Sequence, residues 1–369
     1  MNEDEPKHPR THRWFKPPEG MPKRSEADDA VPVIRASVPS GTRAEAGQLQ
    51  EDIRAALEGW PIVVLRVVGR VAGPSLKVGK QPARWLRKDL VGIVDAVLCT
   101  CRGERCVEDR CTANRLLGRH GKTGRADGEA WAPFVIRAAD TASGSIDRGG
   151  RISYELVLAG AATREVGRLI EAFSQENQPY EYHPVRWQTI QALTIGADGD
   201  LRWKKVEPDA ATAPLISIGE LGEPKLRPKR LMMTFLTATP VARQGERGTP
   251  SDDLALVLDR MTRSLGAWMG RTGHRGPRLP VDDILRAATG SEVSADHRRT
   301  LQVPDALLAS PGAREFRPVE RQESDGTTAL TGSITWTGDF AGLAPLLRAV
   351  SYLGMGPGRQ HGLGQVSFR

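Results

Sequence analysis

The chain has 369 residues, of which 39% are hydrophobic, so it is long enough for about two domains with buried cores. A mean hydropathy of −0.39, a polar N-terminal stretch and the lack of an apolar run of membrane-spanning length argue against a secreted or membrane protein. We therefore expect a cytoplasmic protein with no membrane partner. The formal charge of +7 and the pI of about 9.4 suit an anionic partner, nucleic acid first.

Residues 1–43 are rich in proline, serine and charge, which predicts a disordered tail. The stretch "RAEAGQLQEDIRAALEG" predicts a short helix, and "PIVVLRVVGRV" (61–71) predicts a strand. Apolar residues at helical spacing over 81–98 predict an amphipathic helix, whose other face carries Arg84, Arg87 and Lys88.

Further strands are predicted at "WAPFVIRA" and "GRISYELVLAG". A helix over 163–175 is predicted to begin with Thr163 as its cap, and a hairpin is predicted to turn at "GADGD". The order β-α-β-β-α-β over residues 44–205 is that of a ferredoxin-like domain, with the cysteines in an insertion.

Residues 206–228 are polar and rich in proline and glycine, which predicts a linker. In 229–369, strands are predicted at "RLMMTFLTATPVA", "REFRPVERQE", "TALTGSITWTG" and "GQVSFR". A helix over 251–269 is predicted with Ser251 as its cap, and another over 341–354. The fold class predicted from these elements is α+β, with two tandem ferredoxin-like domains.

All four cysteines lie in one stretch, "CTCRGERCVEDRC", at Cys99, Cys101, Cys106 and Cys111. Four thiolates are the ligand set of a structural zinc site, although the first pair has the spacing C-x-C rather than C-x-x-C. The alternative is a surface loop with reduced cysteines. Zinc here would fix a loop and take no part in chemistry.

The C-terminal stretch "GMGPGRQHGLGQV" (354–366) places five glycines beside an arginine and a histidine. Glycine is needed where the backbone has positive φ or approaches another molecule closely. One interpretation is a tight connection between a helix and a strand. The other is a phosphate-binding turn, in which backbone N–H groups and Arg359 contact an anion. The candidate residues are Gly356, Gly358, Arg359, His361, Gly362 and Gly364.

Four features in order resemble the CRISPR-associated endoribonucleases that process precursor CRISPR RNA, members of the RAMP superfamily. They are the cysteine-rich stretch after the first amphipathic helix, "GGRISYELVLAGAATREVGRLIEAF", "LTATP", and the closing segment from "ERQESDGTTALTGSITWTG" through the glycine-rich turn. The resemblance covers about 60–369, and its last motif is the most specific. It implies two ferredoxin-like domains that hold CRISPR repeat RNA, a crRNA hairpin, across them.

The resemblance also implies cleavage without a metal cofactor, in which the RNA 2′-hydroxyl attacks the adjacent phosphate and leaves a 2′,3′-cyclic phosphate. The enzyme would then remain with its crRNA or associate with other CRISPR effector subunits. A second hypothesis is a non-catalytic RAMP subunit that only binds crRNA. A third is a zinc-stabilised binding protein unrelated to CRISPR.

The family commonly places a catalytic histidine in or just after the first helix of the first domain. The helix over 81–98 contains none, but the following loop "GRHGKTGR" contains Arg119, His120 and Lys122. We therefore predict His120 as the general acid or base, with Arg119 and Lys122 stabilising negative charge. A solvated basic loop is the alternative, and His361 is the second candidate.

Further cations are predicted to contact the RNA backbone, and a charged protein surface without RNA is the alternative for each. Besides Arg84, Arg87 and Lys88 of the first helix, they are Lys225, Arg227, Lys229, Arg230, Arg317 and Arg321. Because only 5% of residues are aromatic, recognition of a hairpin by shape and backbone is favoured over stacking of many bases.

Overall fold

The computed structural model describes residues 43–79, 82–99, 111–117, 134–138, 144–173, 184–207, 210, 212–222, 226, 229–240, 253–304, 326–356, 358–359 and 362–369. The predicted tail lies outside these residues, apart from Arg43, at which the first helix begins.

The first half of the chain forms one antiparallel sheet with helices. Its elements are α1 (Arg43–Leu57), β1 (Pro61–Val71), β2 (Ser75–Gly79), α2 (Pro82–Leu98), α3 (Thr112–Leu117), β3 (Phe134–Arg137), β4 (Gly144–Asp147), β5 (Arg151–Ala159), a 3₁₀ helix (Gly160–Glu165), α4 (Val166–Ala172), β6 (Val185–Ile195), β7 (Leu201–Val206) and β8 (Ile216–Ser217). The strand order is β3–β5–β1–β6–β7, and β8 pairs with β1.

This strand order identifies the first fold. With β1, β3, β5 and β6 taken as the four strands, and α2 and α4 as the two helices, the chain follows β-α-β-β-α-β with spatial order 2-3-1-4. That is the ferredoxin-like arrangement, to which β7 adds a hairpin strand. The short strands β2 and β4 pair with each other in a separate sheet.

The central strand β1 is buried on both faces over most of its length, as its continuous apolar sequence predicts. Val63 and Leu65 share a hydrophobic cluster with residues of α2 and α4. Ile62 and Val64 belong to a second cluster, which also contains α1 and the core of the other half of the chain.

The second half of the chain forms another antiparallel sheet. Its elements are β9 (Arg230–Pro240), α5 (Leu254–Arg271), α6 (Val281–Ala287), β10 (Glu292–Asp296), β11 (Arg299–Pro304), β12 (Gly326–Thr337), a 3₁₀ helix (Ala341–Leu343), α7 (Ala344–Leu353) and β13 (Val366–Phe368). The order is β10–β12–β9–β13, and β11 also pairs with β12.

Consecutive strands β10 and β11 together occupy the position of one strand beside β12. With α5 and α7 as the helices, this half again follows β-α-β-β-α-β with order 2-3-1-4. The predicted fold class, α+β with two ferredoxin-like units, is therefore confirmed.

Contacts between the halves join them at the C-terminal end of α5. The Trp60 indole donates a hydrogen bond of 2.9 Å to Thr272 Oγ1, and the Ala161 amide donates one of 3.1 Å to the Thr272 carbonyl. His274 Nε2 lies 2.9 Å from the carbonyl oxygen of Ala56 in α1. These contacts fix α5 relative to the first sheet.

Two predicted helix caps are wrong. The segment at Thr163 is a 3₁₀ helix, in which the Thr163 hydroxyl donates to the Gly160 carbonyl, and α4 begins only at Val166. The cap of α5 is Asp253, whose carboxylate accepts from the Ala255 amide at 2.8 Å. Both errors place a helix start two or three residues early. Before α5, Ser251, Asp252 and Asp253 are all residue types that can cap, and before α4 the 3₁₀ helix occupies the predicted first turn.

The structure also contains short elements that the sequence does not predict. Within the predicted linker, Ile216 and Ser217 pair with β1, and a 3₁₀ turn at Ile218–Glu220 follows. The sequence does not predict strands β10 and β11, because both are short and contain few apolar residues. The predicted strand "REFRPVERQE" lies outside the described residues.

We predict that Tyr154→Phe leaves the free energy of unfolding unchanged or raises it by about 1 kcal/mol, because it removes a buried hydroxyl that has no hydrogen-bond partner among the described residues. Burial, with a smaller effect of Asp89, raises the pKa of Tyr154 well above its usual value. Urea denaturation of the full chain measures the change.

The matched control is Trp187→Phe, which removes the 3.1 Å hydrogen bond from Trp187 to Asp89 and part of a buried ring. This control is expected to destabilise by about 2 kcal/mol or more. A loss above about 1 kcal/mol in Tyr154→Phe would show that its hydroxyl is bonded after all.

Candidate nucleic-acid interface

The glycine-rich loop connects α7 to β13 and has an unusual backbone. Five glycines adopt positive φ, between 69° and 81°, which is strained for residues with a side chain; they are Gly354, Gly356, Gly358, Gly362 and Gly364. The motif therefore encodes a specific loop conformation.

Internal hydrogen bonds close the two ends of this loop. The Met355 amide donates to the Gly364 carbonyl at 2.9 Å, and the Leu363 amide donates to the Gly358 carbonyl at 3.2 Å. The Gly364 amide donates to Ala238 of β9 at 3.0 Å. The amides at both ends of the loop are thus used inside the protein.

The loop also packs against the first domain. A Cβ at Gly362 would overlap the Cβ of Ala83, in the first turn of α2. Gln365 is buried, and its Nε2 donates to the Ile136 carbonyl of β3 at 2.7 Å and to the Gly362 carbonyl at 3.1 Å. The loop therefore joins the C-terminal strand to the edge of the first sheet and to the start of α2.

The predicted basic face of α2 begins beside this contact. Lys88 is exposed, whereas Arg87 is only 8% exposed. Arg84 lies in the same helix, and the structure does not describe its side chain. Asp89, next along the helix, accepts the hydrogen bond from Trp187 and so anchors α2 to the sheet.

Arg359 is buried within the loop rather than displayed on it. Its side chain is 5% exposed, and its guanidinium carbon lies 4.8 Å from the ring centroid of Trp268 in α5. A cation held over an indole face is stabilised by the ring quadrupole. Arg359 thus places a fixed positive charge under the loop, and its predicted contact with RNA remains a prediction.

A network of charged and aromatic side chains links α7 to the open face of the first sheet. The Glu155 carboxylate accepts from Arg66 at 2.6 Å and from Arg137 at 2.7 Å. Arg137 lies 5.0 Å from the ring of Tyr352 in α7, and Arg66 lies 4.0 Å from the ring of Trp203. One carboxylate therefore pairs with two guanidinium groups. Burial raises the pKa of the Tyr352 hydroxyl, which stays neutral.

Several predicted site residues lie outside the described residues. They are the three catalytic candidates Arg119, His120 and Lys122, and the RNA-binding candidates Lys225, Arg227, Arg317, Arg321 and His361. Of the remaining cations, Lys229 and Arg230 are exposed at the start of β9, and Lys229 has a positive φ of 56°.

The structure describes two of the four cysteines. Cys99 is half-buried and Cys111 is buried, and both pack against the hydrophobic cluster between α2 and the sheet. Among the described residues, no three His, Cys, Asp or Glu side chains come together as a metal site. Because Cys101 and Cys106 lie outside those residues, the zinc site remains a prediction.

Within the part of the chain that the structure describes, no helix combines the length and apolar character needed to cross a bilayer.

Comparison with known families identifies the C-terminal half. Residues 233–366 match the model of the family CRISPR-associated endoribonuclease Cas6. This stretch contains the "LTATP" strand, α7 and the glycine-rich loop. The predicted resemblance is confirmed. The glycine-rich loop lies within the matched residues. A search of curated proteins finds no match.

Solved structures similar to this chain include a Cas6 product complex, with 16% identity, a TM-score of 0.47 and coverage of 84% of this chain and 100% of that chain. A Cas6 from Thermus thermophilus has 15% identity, a TM-score of 0.49 and coverage of 84% and 99%. A RAMP protein binding different RNA substrates has 11% identity, a TM-score of 0.36 and coverage of 84% and 99%. The fold assignment itself rests on the strand orders given above.

Sequence reasoning missed the residues that attach the glycine-rich loop to the first domain. Gln365 stands inside the quoted motif, but its role depends on the Ile136 carbonyl, 229 residues away in the chain. Trp268, which contacts Arg359, lies in a helix where its apolar spacing predicts only a core residue. No local pattern reports such distant pairings.

We predict that Gly362→Ala separates the glycine-rich loop from α2 and lowers the free energy of unfolding by about 2–4 kcal/mol, since it adds both backbone strain and a clash with Ala83. The control is Gly199→Ala, which has a similar φ of 80° but no atom within 4 Å of the added Cβ.

The control therefore carries the backbone strain alone, about 1–2 kcal/mol. Chemical denaturation of both variants gives the comparison. Equal losses in the two variants would show that Gly362 does not pack against α2.

Proposed function

We propose that this protein is a metal-independent endoribonuclease that cleaves CRISPR repeat RNA into mature crRNA. The observation that carries the proposal is the position of the glycine-rich loop, which is packed against the first turn of α2 and the edge of the first sheet. A loop of this sequence, fixed across two ferredoxin-like domains, offers one continuous surface to RNA.

The middle of the loop, residues 356–361, is the segment proposed to bind a phosphate through backbone N–H groups, because the amides of Met355, Leu363 and Gly364 are already bonded within the protein. The positive charge of Arg359, which belongs to this segment and contacts Trp268, is proposed to attract the anion. Lys88 on α2 and the exposed Lys229 and Arg230 are proposed to hold the flanking RNA backbone.

The proposed catalytic residues lie outside the described residues, and the elements on either side of them support the proposal. His120 follows α3 by three residues, and α3 contributes Leu116 to a small apolar cavity that Leu90 and Val94 of α2 also line. The segment carrying His120 is followed by β3, whose Ile136 carbonyl accepts a hydrogen bond from Gln365 beside the glycine-rich loop. Both ends of the segment carrying Arg119, His120 and Lys122 thus lie on elements that contact α2 or the loop.

In the proposed reaction, a general base accepts the proton of the RNA 2′-hydroxyl as its oxygen attacks the adjacent phosphorus. The bond from phosphorus to the 5′-oxygen breaks, and that oxygen accepts a proton from a general acid. The products are a 2′,3′-cyclic phosphate and a free 5′-hydroxyl. We propose His120 as acid or base, with Arg119 and Lys122 stabilising the phosphorane charge.

No cofactor is proposed for this reaction, because the attacking group belongs to the RNA. Zinc, if bound by Cys99, Cys101, Cys106 and Cys111, would only fix the segment after α2. Retention of the crRNA and association with other CRISPR effector subunits remain part of the proposal.

A non-catalytic crRNA-binding subunit is the second candidate. It is favoured by one observation, that α2 itself contains no histidine. Incubation with repeat RNA in EDTA distinguishes the candidates: cleavage at one position with a cyclic-phosphate end supports the enzyme, whereas tight binding without cleavage supports the subunit.

We predict that His120→Ala lowers the single-turnover cleavage rate by at least about 100-fold while the Kd for repeat RNA stays within a few-fold of wild type. The control is His297→Ala, which removes an exposed histidine on the second sheet and should leave the rate unchanged. An unchanged rate in His120→Ala would exclude this histidine and transfer the role to His361 or to an arginine site.

A further inference from the structure

Three arginines lie side by side on the first sheet, and none of them was singled out from the sequence. Arg70 of β1 is directly opposite Arg151 of β5 on one side and Arg186 of β6 on the other. All three side chains are exposed. We call this set the arginine row.

Strand alternation places the row on the open face of the sheet. The neighbours Val71, Ile152 and Trp187 point into the core beneath α2 and α4. The row therefore points to the other face, the one that carries Ile62 and Val64 under the second domain. At the row's end of the sheet, this face is exposed.

The row brings together like charges that the described protein does not neutralise. Like charges directly opposite each other on neighbouring strands are destabilising, and the row contains two such pairs. Arg66 and Arg137 on the same face share Glu155. In contrast, no acidic side chain of the described residues forms an ion pair with a member of the row, and Arg70 donates to the neutral Gly149 carbonyl, at 2.8 Å.

The flat shape of the surface around the arginine row indicates which kind of anion fits it. Across three strands the row spans about 10 Å, and on its inner side lie the short side chains of Val68, Ser153 and Thr189, paired in register. Beyond them, the Arg66 guanidinium is stacked over Trp203. A flat basic floor bordered by a stacked guanidinium plane is suited to an extended single strand with splayed bases.

We propose that the arginine row binds the phosphates of a single-stranded RNA segment, separate from the hairpin held at the glycine-rich loop. The assignment of that segment to repeat RNA rests on the proposed function. The binding of single-stranded RNA itself does not.

The test is the triple variant Arg70→Gln/Arg151→Gln/Arg186→Gln, with a fluorescein-labelled 12-nucleotide oligouridylate as probe and anisotropy across a KCl series. The slope of log K against log salt is negative, and loss of three phosphate contacts should reduce its magnitude by about 2. The Kd at low salt should rise at least 10-fold. The melting temperature should not fall, because like-charge repulsion is relieved.

The control triple is Arg202→Gln/Arg263→Gln/Arg286→Gln, which removes the same charge from exposed arginines already paired with aspartates. It should change the Kd by less than about 3-fold. If the row triple stayed within 3-fold of this control, the row would not be an RNA site.

A second arm uses repeat RNA with and without its single-stranded flanks. The row triple should weaken binding of the flanked RNA and leave the isolated hairpin unaffected. An equal loss for the hairpin would overturn the assignment to a single strand. Absence of cleavage by the wild type would contradict only the proposed function, since the oligouridylate measurement requires no reaction.

Discussion

The contact between the glycine-rich loop and the first domain is the constraint on which the rest of the molecule depends. At Gly362 the loop approaches α2 so closely that a Cβ would overlap that of Ala83, and the buried Gln365 binds the Ile136 carbonyl. Only glycine fits this approach at positive φ. The conformation of the last loop therefore fixes where α2, and the basic residues on it, stand relative to the second domain.

A core shared by the two halves of the chain stabilises this contact. One hydrophobic cluster runs from Ile62 and Val64 of the first sheet through α1 to the helices of the second, and Trp60 and Thr272 add a buried hydrogen bond. Because interiors are densely packed and stiff, a loop mounted on this shared core holds its position. A rigid surface is what alignment of a 2′-hydroxyl with its neighbouring phosphate requires.

Sequence patterns were sufficient for the fold and for the glycine-rich loop, but not for the details of the interface. β1 and α2 follow from continuous and helical apolar periodicity, and the five glycines of the loop all adopt the positive φ that their residue type suggested. The burial of Arg359 against Trp268 and the pairing of Arg70 with Arg151 and Arg186 depend on distant register. Local patterns carry no information about such pairings, and the short strands β10 and β11 contain too few apolar residues to predict a strand.

The central claim is that one RNA is held across both domains at the loop. A structure of the protein with repeat RNA carrying a 2′-deoxy substitution at the cleavage position tests it most directly, because the substrate binds but lacks its attacking group. The account predicts RNA phosphates in contact with residues 356–361 and with the first turns of α2 in the same complex. RNA bound to one domain only, with the loop at a distance from it, would contradict the account.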